Sequence, residues 1–113
     1  MKIEEKISNE VVSGVKNIFG EKLKKVILYG SYARGDYDNQ SDIDIMVLAD
    51  IEQENIPHYR PKIRRISNDI GLENDIFVSV MLDSEKFFSV NMSVSSFYRN
   101  VIKEGKVLYN ERT

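Results

Sequence analysis

Asp42 and Asp44 stand on either side of Ile43 at the head of an apolar stretch, DIDIMVLA, residues 42–49. Side chains alternate along a strand, so the two carboxylates share one face while Ile43, Ile45 and Val47 turn to the other. At strand spacing their backbone positions lie about 6–7 Å apart. Two like charges that close repel unless a cation sits between them. Oxygen-only donors with room for water suit Mg²⁺ or Mn²⁺. Alone, the pair also fits a solvated strand end. The preceding residues narrow the choice. Gly30-Ser31 is followed by Ala33-Arg34-Gly35, a Gly-bracketed turn whose amides can point outward unobstructed by Cβ atoms. Successive amides in such a turn form an anion nest, and Ser31 adds a hydroxyl donor. Gly-Ser by itself marks only a turn. Joined to Ser41-Asp42-Ile43-Asp44, it sets a phosphate cradle beside a divalent-cation site. That is equipment for phosphoryl or nucleotidyl transfer, where positioning and charge neutralisation carry the catalysis.

Several elements must position these residues. Ile3, Ile7, Val11, Val15 and Ile18 recur at helical spacing, predicting a first helix that ends near Phe19 with Gly20 as a left-handed cap. Lys25–Tyr29 is a short buried strand, residues 30–41 a loop, and residues 42–49 the second strand. Tyr59, Ile63, Ile66 and Ile70 mark the apolar face of another helix. It starts between Pro57 and Pro61, the later start being favoured because an interior Pro breaks a helix, and it ends at Gly71. DIFVSVML, opened by Asp75, reads as a third strand. Asp83 then caps a helix through Phe87 and Phe88. A last helix carries Val94, Phe97, Tyr98 and Val101 and ends at Gly105, with Val107–Tyr109 as a short edge strand. These elements predict an α+β sandwich: a short mixed β-sheet with helices packed on one face.

The composition excludes much. The chain has 113 residues, room for one domain spanning 1–113. It contains no Cys and one His, His58, so disulfides, thiol catalysis and multi-His metal sites are out. The net charge of −2 argues against nucleic acid as a direct partner. The charged N-terminus lacks a signal core, and no apolar run nears the roughly 20 residues of a membrane span. A cytoplasmic location, away from any membrane, is expected.

The stretch GSYARGDYDNQSDIDI resembles the signature of the polymerase β-type nucleotidyltransferase superfamily, and more narrowly the minimal nucleotidyltransferases of bacteria and archaea. The resemblance implies the nucleotidyltransferase fold and roles for particular residues. Gly30 and Ser31 would hold the β- and γ-phosphates of a nucleoside triphosphate, and Arg34 and Ser41 would line the nucleotide site. Asp42 and Asp44 would ligate two Mg²⁺ ions. Asp75 would be the third carboxylate, shared with a metal and helping to deprotonate the acceptor, with Asp83 as runner-up. The resemblance further implies transfer of AMP from ATP to a hydroxyl. The acceptor it implies is a tyrosine of a HEPN-domain toxin, which makes the chain an antitoxin. Two alternatives stand beside it: a stoichiometric binder that masks the toxin without catalysis, and a small-molecule adenylyltransferase completed by a homodimer.

Other residues have plainer readings. Arg60, Lys62, Arg64 and Arg65 form a solvated helix face or an acceptor-docking patch for RNA or an acidic protein surface. Asp36 and Asp38 are turn formers. Tyr29, Tyr32 and Tyr37 support the loop, or one stacks on a base. Phe87, Phe88, Phe97 and Tyr98 are core. Ser79 shares a strand face with Asp75.

Overall fold

The computed structural model describes residues 1–111. Helix α1 spans Ile3–Phe19, and its apolar positions Ile7, Val11, Val15 and Phe19 are buried, as the helical spacing requires. Gly20 takes a positive φ of 56°, with a ψ of −127° outside the left-handed helical basin. A 3₁₀ turn then leads into strand β1, Leu23–Tyr29. The stretch expected to be all loop contains a short helix, α2, at Ser31–Arg34. Strand β2 is Ile43–Ala49 and helix α3 is Ile56–Asn74. Strand β3 is Val78–Ser84, helix α4 Glu85–Val90, helix α5 Ser96–Glu104 and strand β4 Lys106–Asn110.

The four strands form one sheet in the order β3-β2-β1-β4. β1 is antiparallel to β2 and β4, whereas β2 and β3 are parallel, joined by α3 as the crossover. The sheet is therefore mixed and the class α+β, as expected. Alternation along β2 sorts its two faces. Ile43, Ile45, Val47 and Ala49 pack with α1 and α3 in the larger core. Met46 and Leu48 face the other way and join Ile27, Phe88 of α4 and Val101 of α5 in a smaller one. Helices thus cover both faces, where one covered face was expected. The sheet-facing apolar residues of α4 and α5 are what close the second layer.

Four boundaries differ from the sequence reading, each for a physical reason. α3 starts at Ile56, before both prolines, and contains Pro61. Ile56 is 2% exposed and Tyr59 packs on Phe19 with ring centroids 5.0 Å apart, so packing holds the first turn. Pro57 and Pro61 both face solvent, where water satisfies the carbonyl that Pro61 leaves unbonded. α3 also runs past Gly71 to Asn74. Its left-handed cap is Asp75 (φ 54°, ψ 45°), whose N–H bonds back to the Gly71 carbonyl. Asp75 thus ends a helix and does not open β3. Ser84 rather than Asp83 caps α4, accepting the Phe87 N–H at 3.2 Å. Finally, α5 begins at Ser96, leaving Val94 outside it and 79% exposed. Of the four aromatics expected in the core, Phe88 is buried while Phe87 and Phe97 are about 40% exposed.

Candidate active site

The site is assembled where β1 ends. Gly30 has φ 75° and ψ −157°, a conformation closed to residues with a side chain. It turns the chain sharply out of β1 into α2. Its carbonyl accepts the N–H groups of Ala33 and Arg34, both at 3.1 Å, and the Ser31 carbonyl accepts those of Gly35 and Asp36. The amides of Ser31 and Tyr32, at the head of this turn, have no carbonyl behind them to bond. Tyr32 is buried and stacks face to face on Tyr37, centroids 4.1 Å apart, which props the loop.

Asp44 lies beside that turn. In the sheet register it pairs with Tyr29 on one side and Ser79 on the other. A Cβ at Gly30 would collide with its carboxylate Oδ2. Asp44 is half-buried and its carboxyl titrates above the usual Asp value. Burial is the main cause and the Asp42 charge the second, against a downward pull from Arg34. Asp42 is exposed, one residue before β2, and the Ile43 N–H anchors this strand end by donating to the Phe77 carbonyl at 2.9 Å. Asp42 and Asp44 thus meet as an electrostatically opposed pair.

Arg34 is held at the rim. Its Nε donates to Asp36 at 3.1 Å and its Nη1 to Glu104 of α5 at 3.2 Å. These carboxylates raise its pKa, the hydrogen bond to Asp36 being the largest cause. Ser41 turns back into the loop: its hydroxyl accepts the Asp38 N–H at 3.0 Å and donates to Asp38 Oδ1 at 3.3 Å. It braces the approach to Asp42, with Asp38 as the turn former.

The third carboxylate is not brought in. Asp75 sits on the helix cap, beside Gly71 and Phe77 and three residues before β3 begins. The β3 residue abreast of Asp44 is Ser79, a hydroxyl. Asp83 does lie on the Asp44 face, but four residues along β3, and it is engaged elsewhere. Its carboxylate accepts the Tyr98 hydroxyl at 2.9 Å and the Gln53 amide at 3.2 Å. Among the described residues no three carboxylate or imidazole groups converge. The donor set fits a divalent cation that takes two protein carboxylates and completes its shell with phosphate oxygens and water. It does not form the three-carboxylate cage expected from the sequence.

A phosphate-ready glycine turn against a strained carboxylate pair, on a mixed sheet with α3 as crossover, defines a nucleotidyl-transfer site. The family model "Polymerase beta, Nucleotidyltransferase" matches residues 13–113. The chain belongs to that family, and it is a nucleotidyltransferase. It is 37% identical over 106 residues to the "Putative protein adenylyltransferase MJ0604" of Methanocaldococcus jannaschii, covering 94% of this chain and 98% of that one. The fold is shared with a chain of a toxin–antitoxin crystal structure with AMP-PNP, at TM-score 0.63 and 24% identity, covering 93% of this chain and 74% of that one. It is shared too with a chain of the complex between tri-AMPylated Shewanella oneidensis HEPN toxin and MNT antitoxin. There the TM-score is 0.57 and the identity 21%, over 96% of this chain and 74% of that one. Among the described residues no helix is long and apolar enough to cross a membrane.

Sequence reasoning did not find Glu104 or the Asp83–Tyr98–Gln53 cluster. Glu104 reaches Arg34 across 70 positions, and only tertiary packing makes them neighbours. The alternation of β3 did carry a usable signal, since once its register is known Ser79 and Asp83 fall on the Asp44 face.

Proposed function

We propose that this protein transfers AMP from ATP to a hydroxyl of a partner protein, a tyrosine of a HEPN-type toxin, and so acts as its antitoxin. The observation that carries the reading is the packing of Gly30 against the Asp44 carboxylate, which sets an amide-lined turn directly over a paired-carboxylate site. The relatives' names support protein adenylylation and a HEPN partner.

In this mechanism Gly30 lets the backbone approach the triphosphate, and the Ser31 and Tyr32 amides bind its terminal phosphates. Asp42 and Asp44 hold Mg²⁺, which neutralises the phosphate charge that builds during transfer. Arg34, steered by Asp36 and Glu104, adds a fixed positive charge at the rim. The acceptor oxygen forms a bond to the α-phosphorus as the bond to the bridging oxygen breaks. Pyrophosphate leaves and the hydroxyl proton passes to water. Ser79, beside Asp44, lines the acceptor side.

The test is intact-mass spectrometry of the neighbouring gene's product after incubation with this protein, Mg²⁺ and each nucleoside triphosphate. One or more added AMP units, absent with Asp42→Ala/Asp44→Ala, are expected. A stable complex without mass gain would favour stoichiometric masking instead. Activity on small hydroxyl compounds by a homodimer, without any partner, would replace both readings.

A further inference from the structure

β3 is an edge strand, and nothing in its sequence blunts that edge. Val78-Ser79-Val80-Met81-Leu82 carries no Lys, Pro or Gly, and its register against β2 runs without a bulge. The Ile43 N–H bonds the Phe77 carbonyl, so odd-numbered residues of β3 address β2 and the backbone groups of Val78, Val80 and Leu82 point outward. The edge is closed only at its far end, where Gln53 Oε1 accepts the Ser84 N–H at 3.0 Å. Alongside runs a groove of about 470 Å³ between β3 and α3, lined by Arg60, Arg64 and Ser67 on the helix and by Ser79 and Val80 on the strand. Arg60 and Arg64 are exposed, and among the described residues neither joins an ion pair.

We propose that this edge receives an extended acidic segment of the acceptor protein as a fifth strand. The inference rests on the transfer reading above and names how the acceptor is presented. A guest strand shows alternate side chains to the two faces. One set faces α3, where Arg60 and Arg64 stand one helical turn, about 6 Å, apart. Residues two apart on a strand are spaced about 6.6 Å, so two acidic side chains match the two guanidiniums. The other set faces the Ser79 and Asp44 side, where transfer occurs. The recognised segment therefore has acidic residues at odd offsets from the accepting hydroxyl residue. Backbone pairing supplies affinity and the arginines supply register, as in strand addition generally.

Fluorescence anisotropy without nucleotide tests this. One labelled peptide has Glu at odd offsets from a central Tyr, and its isomer has the same residues with Glu at even offsets. The odd-offset peptide is expected to bind at least about tenfold tighter, as two ion pairs would give. Arg60→Glu/Arg64→Glu should reverse the preference toward a basic peptide. Val80→Pro removes an outward N–H and no bond to β2, so it should abolish binding with the fold intact by circular dichroism. Hydrogen exchange at Val78–Leu82 should slow only with the odd-offset peptide. Equal binding of both isomers, unaltered binding by Val80→Pro, or displacement of the peptide by a single-stranded RNA would overturn the proposal. Asp42→Ala/Asp44→Ala keeps the two readings apart. Peptide binding without AMP transfer to the toxin leaves the docking edge standing and removes the transfer reading. AMP transfer at full rate by the Arg60/Arg64 and Val80 variants does the reverse.

Discussion

The α-carbon of Gly30 lies against the Asp44 carboxylate so closely that a methyl group at position 30 and Oδ2 of Asp44 cannot coexist. Gly30→Ala must therefore displace the carboxylate, the turn, or both. The positive φ adds a backbone cost of about 1–3 kcal/mol. Transfer should fall by about a hundredfold, the usual penalty for misplacing a reacting group by an ångström. Gly35→Ala is the control. Its φ of 86° is equally strained, but nothing lies within 4 Å of the new Cβ. It should melt earlier to a similar degree while keeping most activity.

Asp44 predicts a pH dependence of stability. Its carboxyl is raised above the ordinary value, chiefly by burial. Below the ordinary Asp range the group is protonated in folded and unfolded chains alike, and its contribution to stability is fully present. As pH rises through the raised folded value the charge must form in a half-buried site, and that contribution is lost. Asp44→Asn should therefore raise the melting temperature at neutral pH, with the gain shrinking as the solution is acidified. Addition of Mg²⁺ with ATP should stabilise the wild type but not this variant. Melting curves across the acid range check both; an advantage that grows in acid would contradict the assignment.

Asp75 is a helix cap in a left-handed conformation. Asp75→Gly relieves the φ of 54° and should leave stability unchanged or raise it by about 0.5–1 kcal/mol. The transfer rate should stay within a fewfold of wild type. A drop of two orders of magnitude would restore Asp75 to the catalytic set.

Asp83 binds Tyr98 and Gln53 beneath α5. Asp83→Ala orphans a hydroxyl and an amide, costing about 1–3 kcal/mol by urea denaturation. Burial and this contact push Tyr98 up to about 12, and burial, Asp44 and Asp83 push Tyr29 up to about 12. Their contributions are complete below the ordinary phenol value near 10 and are lost as pH rises through about 12. Phenolate absorbance should show two of the six tyrosines titrating late. In Asp83→Ala the Tyr98 step should move toward neutrality.

The sequence by itself determined the helical face of α1, the sites of β1 and β2, and the juxtaposition of Gly30-Ser31 with Asp42 and Asp44. Those features depend on local rules: helical and strand periodicity, the steric freedom of glycine, and like-charge repulsion at fixed strand spacing. Tertiary structure decided what local rules leave open. Packing of Ile56 and Tyr59 started α3 ahead of two prolines, where propensity alone placed the start later. The length of α3 put Asp75 on its cap, so the parallel register of β3 set Ser79, and no carboxylate, abreast of Asp44. Contacts across the chain, Arg34 with Glu104 and Asp83 with Tyr98, have no sequence period to announce them. They exist because a mixed sheet brings α5 over its second face.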